Sequence, residues 1–357
     1  MVFQKALSAL VLALPIVLGL PSKRATDLNP RCEFLVPIAK DLLENLFDNE
    51  CGDAAHGALR LIFHDAIGIS PTVGGGGADG SIFVFNETEL AFPANDGLDD
   101  VLDDVGPFFL KHSNALTPGD FIQFAGALSL AQCAGAPRVQ FALGRPPPRA
   151  ASPPDLVPEP FDSATKILER FASVGFSPQE VISLLSSHSI AGADTVDPTI
   201  PGTPFDSTPS VYDTNIFIEV LLKGFLFPGT SGNQGEVMSA INGTLRLQSD
   251  SELARDSRTA CFWQEFATNH AAVQKQFGDA VFKMSLLGQN TRDMIDCSAV
   301  IPQPPALTNF VPSFPPGQSL TDVQQSCATT QFPNLPVLPG PPLVVPPIPQ
   351  ADDGDDS

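Results

Sequence analysis

Asp53, Gly57, Arg60 and His64 follow one another at intervals of four, three and four residues. On an α-helix at roughly 100° per residue this puts all four within about 40° of one stripe. Ala55, Ala58, Leu59 and Ile62 fall on the opposite face, so such a helix sinks its apolar side in a core and lines up an arginine and a histidine one turn apart. A neutral imidazole takes up a proton and gives it back, and a permanently charged guanidinium stabilises negative charge that develops beside it. A solvated helix face explains a lone arginine and histidine equally well, and only the surrounding sequence separates the two readings. A second histidine, His188, ends an apolar stripe of Val181, Leu184 and Leu185. Taken alone, it reads as an ordinary core residue.

The elements that position these side chains read as helices. Ser177-Pro178-Gln179-Glu180 is a capping box with proline at the first helical position, opening a helix that runs to about Gly192. Further helical stretches are Glu33 to Phe47, Ala54 to Ala66, Pro118 to Cys133, Thr165 to Val174, Asn215 to Phe225 and Thr259 to Phe277. The intervening segments are dense in Gly, Pro, Asp and Ser, and no alternating strand series stands out. The expected fold is mainly α with long loops. From Gln331 a proline-rich run leads to Asp352-Asp353-Gly354-Asp355-Asp356, a disordered or surface-draped tail.

With 357 residues and 43% hydrophobic side chains, the chain has material for one large core or two smaller lobes. Lys5, the apolar run from Ala6 to Leu20 and the small and polar residues after it read as a signal peptide. Lys23-Arg24 is a dibasic site whose cleavage leaves Ala25 at the mature end, so residues 1–24 are expected to be removed. The formal charge is −21; without Lys5, Lys23 and Arg24 the mature chain carries about −24. A surface of that sign repels phosphate backbones, which excludes nucleic acid as a partner, and no later segment reads as a membrane anchor. Cys32, Cys51, Cys133, Cys261, Cys297 and Cys327 all lie beyond the signal and contain no CxxC pair, so three disulfides are expected in an oxidising compartment. Asn86-Glu87-Thr88 and Asn242-Gly243-Thr244 are glycosylation sequons.

Phe63-His64-Asp65 within RLIFHDA, followed by GGGGADGSI and ELAFPAND, resembles the distal side of the fungal secreted haem peroxidases, class II of the plant-type superfamily. SSHSIAGAD, VDPT and PFDSTPSVYD resemble the proximal segment of the same family, and the likeness extends from Cys32 to Cys327. It implies a two-lobed, mainly α fold over about 25–330, with haem b between a distal lobe (about 25–160) and a proximal lobe (about 161–300). Arg60 and His64 then stand over the haem iron with Phe63 packed on the porphyrin, Asn95 holds the other ring nitrogen of His64, and Glu89 lies behind Asn95. His188 becomes the axial iron ligand and Asp250 its carboxylate partner. Two calcium sites are implied, Asp65, Gly77, Asp79 and Ser81 on the distal side, and Ser189, Asp206, Thr208, Val211 and Asp213 on the proximal side. Position in the family pattern pairs Cys32 with Cys297, Cys51 with Cys133 and Cys261 with Cys327.

The chain also departs from that family. It has six cysteines where eight are usual, and its loop after Phe63-His64-Asp65 is short, which alters the rim of the haem channel. Ser183 stands where lignin and versatile peroxidases carry an exposed tryptophan, and the only tryptophan, Trp263, reads as structural. Direct oxidation of high-potential aromatics is therefore disfavoured. Where manganese peroxidases place three acids near a haem propionate, this chain has Asp53, Gly57 and Asp194. Two carboxylates, a propionate and waters in the space above Gly57 make an incomplete but workable Mn(II) site. The expectation is a secreted, monomeric enzyme that consumes hydrogen peroxide and oxidises Mn(II) and phenols in lignin or aromatic oxidation. The alternatives are a generic low-potential peroxidase using phenols and dyes, and a non-catalytic calcium-stabilised extracellular protein. A metallohydrolase is disfavoured, because five histidines offer no HExxH or closely spaced ligand pair.

Overall fold

A computed structural model describes residues 28–349. The signal segment with its dibasic site and the acidic end of the tail lie outside these described residues.

The helices are α1 (Leu35–Asn45), α2 (Asp53–Ala66), α3 (Ser81–Val84), α4 (Asn86–Glu89), α5 (Leu98–His112), α6 (Pro118–Leu130), α7 (Ala164–Ser173), α8 (Pro178–Leu185), α9 (Asn215–Glu219), α10 (Gln248–Leu253), α11 (Ala260–Phe266) and α12 (His270–Ser285). Among the described residues the named strands are two residues long and pair antiparallel. They are β1 (Ala142–Leu143) with β6 (Ile295–Asp296), β2 (Gly192–Ala193) with β3 (Thr203–Pro204), and β4 (Glu236–Val237) with β5 (Arg246–Leu247). The fold is mainly α.

α6 is the central strut. Thr117 caps it, Pro118 opens it, and every residue from Gly119 to Leu130 is buried. α2 crosses it closely at Gly126, where a Cβ would sit 2.2 Å from Ile62 Cγ2. One continuous core joins this pair to Phe217, Trp263, Phe266 and Phe277 on the other side of the molecule. The Asp120 carboxylate of α6 meets Arg145 Nη1 at 2.9 Å in that core, and Arg145 also donates to the carbonyls of Ala142 and Ser285. The Asp120 oxygens also accept from Gly144 N and Arg145 N, which offsets the cost of burying the pair, while Arg145 Nε has no hydrogen-bond partner.

Several elements differ from expectation. α5 falls in a stretch expected to be loop; LDDVLDDVGPFFLKH carries four acids, a glycine and Pro107, yet Leu98, Leu102 and Val105 are buried and Val101, Phe108 and Phe109 pack against the core. Its acids in the first turn and Lys111 and His112 in the last oppose the helix dipole and compensate for the proline. The stretch Thr259 to Phe277 is two helices, since Asn269 leaves helical geometry and caps α12 through Ala272 N. The helix after the capping box is α only to Leu185 and tightens into a 3-10 turn over Ser186–Ile190, which carries His188. The capping box itself forms, with Glu180 accepting from Ser177 N at 2.8 Å. α9 stops at Glu219, short of Phe225.

The three disulfides are Cys32–Cys297, Cys51–Cys133 and Cys261–Cys327. Residues 331–349 lie along the body: Phe314 N donates to Pro336 O, Val345 N to Asn242 O and Ile348 N to Gly202 O. Both sequon asparagines, Asn86 and Asn242, are exposed.

Candidate active site

A cavity of about 700 Å³ lies between α2 and the turn that carries His188. Asp53, Gly57, Arg60 and His64 all line it, and so do Val181, Leu184, Leu185 and His188. Leu59 and Ile62, expected on the far face of α2, reach its wall as well. The two histidines, 124 residues apart in sequence, thus share one chamber. Its walls are otherwise largely apolar, including Phe63, Phe171, Phe205 and Phe277. Phe63 stacks on Phe171 at 5.9 Å between ring centroids and meets His64 edge-on.

His64 Nδ1 is 2.8 Å from Asn95 Oδ1, and Asn95 Nδ2 donates to Glu89 O at 2.8 Å. That second bond fixes the amide orientation, so Asn95 presents oxygen, Nδ1 carries the proton and Nε2 keeps its lone pair. Arg60 Nε donates toward that Nε2 at 3.3 Å, while Arg60 Nη2 is held by Asp96 O at 2.7 Å. Burial first, and then the charge of Arg60, lower the His64 pKa from 6.5 to about 3, against the raising effect of Asn95. The imidazole is therefore neutral throughout the ordinary pH range. Burial also lowers Arg60, opposed by Asp194, Asp96 and Asp99. Glu89 stands behind Asn95 through its backbone carbonyl; its carboxylate instead accepts from Ser152 N at 2.9 Å.

Across the cavity, Asp250 Oδ2 accepts the Nδ1 proton of His188 at 2.8 Å and leaves His188 Nε2 as the ring nitrogen open to a ligand. Asp250 is 1% exposed, and its Oδ1 is buried with no hydrogen-bond partner. A buried carboxylate tied to one imidazole is the usual support behind a metal-ligating histidine. These residues fit a haem in the cavity.

The expected calcium ligands also come together. Asp65 follows His64 directly, is fully buried, and accepts from Gly80 N with both carboxylate oxygens at 3.0 Å. Burial first, then Asp79, push its pKa well up. Asp79 accepts from Ser81 N, and Gly77 sits two residues before it with φ 70°. On the proximal side Ser189 Oγ meets Val211 O at 3.3 Å, and Thr208 Oγ1 donates to Asp213 Oδ2 at 2.9 Å. Asp206 is 1% exposed and its Oδ2 has no partner. Burial and then Asp213 push Asp206 far up. Two buried carboxylates per cluster, with hydroxyl and carbonyl oxygens and an orphaned oxygen in one of them, fit a hard cation. Among the described residues no group of three or more His, Cys, Asp or Glu side chains stands where it could hold a metal ion by itself.

The model of the peroxidase family matches residues 39–269, and that of the fungal peroxidase extension region matches 272–350. The chain belongs to the peroxidase family. It is 52% identical to manganese peroxidase 3 of Phlebia radiata over 332 residues, 91% of each chain. It is 50% identical to versatile peroxidase VPS1 of Pleurotus eryngii, over 98% of this chain and all of that one. Identity to ligninase LG6 of Phanerodontia chrysosporium is 48%, over 85% of this chain and 84% of that one. The protein is thus a haem peroxidase of the fungal class II type with the plant-type peroxidase fold.

Around this peroxidase site, several supporting groups were not visible from sequence. Ser152 serves both Glu89 and Ser81, whose hydroxyl is 3.1 Å away, from 71 residues along the chain. Asp96 holds Arg60 by a backbone carbonyl, a hydrogen bond that no residue type reveals. Tyr212, the only tyrosine, reaches Ser186 Oγ at 2.5 Å, two residues before His188. Ser183 is buried and bonds to Gln179 O, and Trp263 is fully buried with its indole N–H on Phe217 O.

Proposed function

We propose that this peroxidase acts outside the cell as a monomer, consuming hydrogen peroxide and oxidising Mn(II) at one edge of the cavity and phenols at its mouth. Bound there, haem b supplies the redox chemistry that reduces peroxide. His188 would hold it through Nε2, and Asp250, accepting the Nδ1 hydrogen bond, would make that imidazole a stronger donor. On the opposite wall His64 takes the peroxide proton at Nε2 and returns it to the leaving oxygen, while Asn95 keeps the tautomer that makes this possible. Arg60 stabilises the negative charge that develops as the O–O bond breaks. Phe63, which lines the cavity beside His64, would pack against the bound ring. Calcium at Asp65, Gly77, Asp79 and Ser81 clamps the end of α2, and calcium at Ser189, Asp206, Thr208, Val211 and Asp213 clamps the His188 turn. Three disulfides agree with work in an oxidising exterior.

The observation that carries the Mn(II) reading is that Asp53, Gly57 and Asp194 line the same cavity as Arg60 and His64. Asp194 is steadied by Gly202 N, which donates to its Oδ1 at 2.8 Å. The space above Gly57, expected to hold water, is instead narrowed by Val101, whose Cγ2 lies 3.0 Å from where a Cβ would stand. The cation therefore sits toward Asp53 and Asp194. Phe161, partly exposed beside Pro158, Glu159 and Pro160 at the cavity edge, favours the accompanying phenol oxidation. Steady-state kinetics on both donors test the assignment. Wild type should show saturable Mn(II) oxidation that Asp194→Ala abolishes while phenol oxidation persists; no saturable Mn(II) activity in wild type leaves only the phenol-oxidising reading.

A further inference from the structure

Both carboxylate oxygens of Glu219 are spent on one residue, Ser207: Oε2 accepts the backbone N–H at 3.0 Å and Oε1 the hydroxyl. Ser207 lies between Asp206 and Thr208, two of the proximal cation ligands proposed above. Glu219 is 5% exposed, so this pairing is made in the interior at the cost of burying an acid. The far side of Glu219 is fixed as well. Arg246, also buried, donates to Glu219 O and Leu222 O, each at 2.9 Å, and caps the end of α9. Arg246 belongs to β5, which runs directly into α10 and Asp250. A continuous set of bonds therefore connects the loop of Asp206 and Thr208 to the segment that orients His188.

Neither Glu219 nor Ser207 belongs to the cation ligand set, yet both oxygens of a buried acid are committed to this one serine. We infer that Glu219 is a positioning residue for the proximal cation site: it bolts Ser207 so that Asp206 and Thr208 face the ion together. The inference rests on the reading that this loop binds calcium.

The test uses the haem-loaded enzyme equilibrated at buffered free calcium, with bound calcium counted by elemental analysis and the ferric haem spectrum recorded at each point. Wild type should hold two ions. In Glu219→Ala one of them should require about 10–100-fold more free calcium, the range that support residues behind metal ligands usually command, and the haem spectrum should change as that ion leaves. Glu219→Gln can accept the N–H and donate to the hydroxyl oxygen, so it should recover most of the affinity. Ser207→Ala, which leaves Glu219 itself in place, should show a smaller rise in the same ion's requirement and serves if Glu219→Ala does not fold. Two ions in wild type with an unchanged calcium requirement in Glu219→Ala and Ser207→Ala overturns the role of Glu219 alone. Fewer than two ions in wild type overturns the calcium assignment and this inference with it.

Discussion

Acid titration of the peroxide reaction probes the surroundings of His64 directly. An ordinary histidine with pKa 6.5 is only about 1% neutral at pH 4.5, which would slow a reaction needing the free base about a hundredfold. Burial and the Arg60 charge hold His64 at about 3, so roughly 97% of it remains neutral at that pH and the rate should barely change. The second-order rate constant of the peroxide-dependent change in the haem spectrum, followed by stopped flow, should stay level from pH 7 to about 4 and fall only near pH 3. Arg60→Leu separates the two causes. Its plateau should drop, because the charge that stabilises the departing oxygen is gone, and its acid limb should move up while staying below 6.5, because burial remains. The same shift has a stability counterpart with a definite sign. Below pH 6.5 the unfolded chain takes up a proton that folded His64 refuses, so this residue removes about 1.4 kcal/mol of stability per pH unit down to about 3. A wild-type acid limb at 6.5 would refute the burial argument, and an unmoved limb in Arg60→Leu would refute the role of its charge.

Replacing His64 by Ala should leave haem bound and slow peroxide cleavage by about 10²–10⁴-fold; a wild-type rate in stopped flow removes His64 from the mechanism. Chelating calcium should disturb the haem spectrum and inactivate the enzyme with the same time course, and full activity after verified loss of both ions removes their structural role. Gly57→Glu supplies a third acid but crowds Val101, so it should tighten Mn(II) binding less than Gly57→Glu with Val101→Ala, measured as KM for Mn(II); equal KM values would show that Val101 does not restrict this edge.

The stripe of Asp53, Gly57, Arg60 and His64 was legible because helical periodicity is local: 3.6 residues per turn fixes which side chains share a face before any tertiary contact forms. The capping box at Ser177 and the cap at Thr117 were legible for the same reason, since each satisfies backbone N–H groups within its own turn. The motifs around His64 and His188 likewise carried the family. What sequence left open depends on groups far apart in the chain. α5 carries an apolar stripe of Leu98, Val101, Leu102, Val105 and Phe109 packed on the core, but its four acids, its glycine and Pro107 masked that pattern. The break before α12 follows from one asparagine whose capping geometry outweighs a continuous helical pattern. At the site, Asp96 and Glu89 act through backbone carbonyls, and Ser152, Tyr212 and Glu219 act across loops. The low pKa of His64 belongs to the same class: residue type supplies an imidazole, but only the closed core and the approach of Arg60 decide that it stays unprotonated in acid.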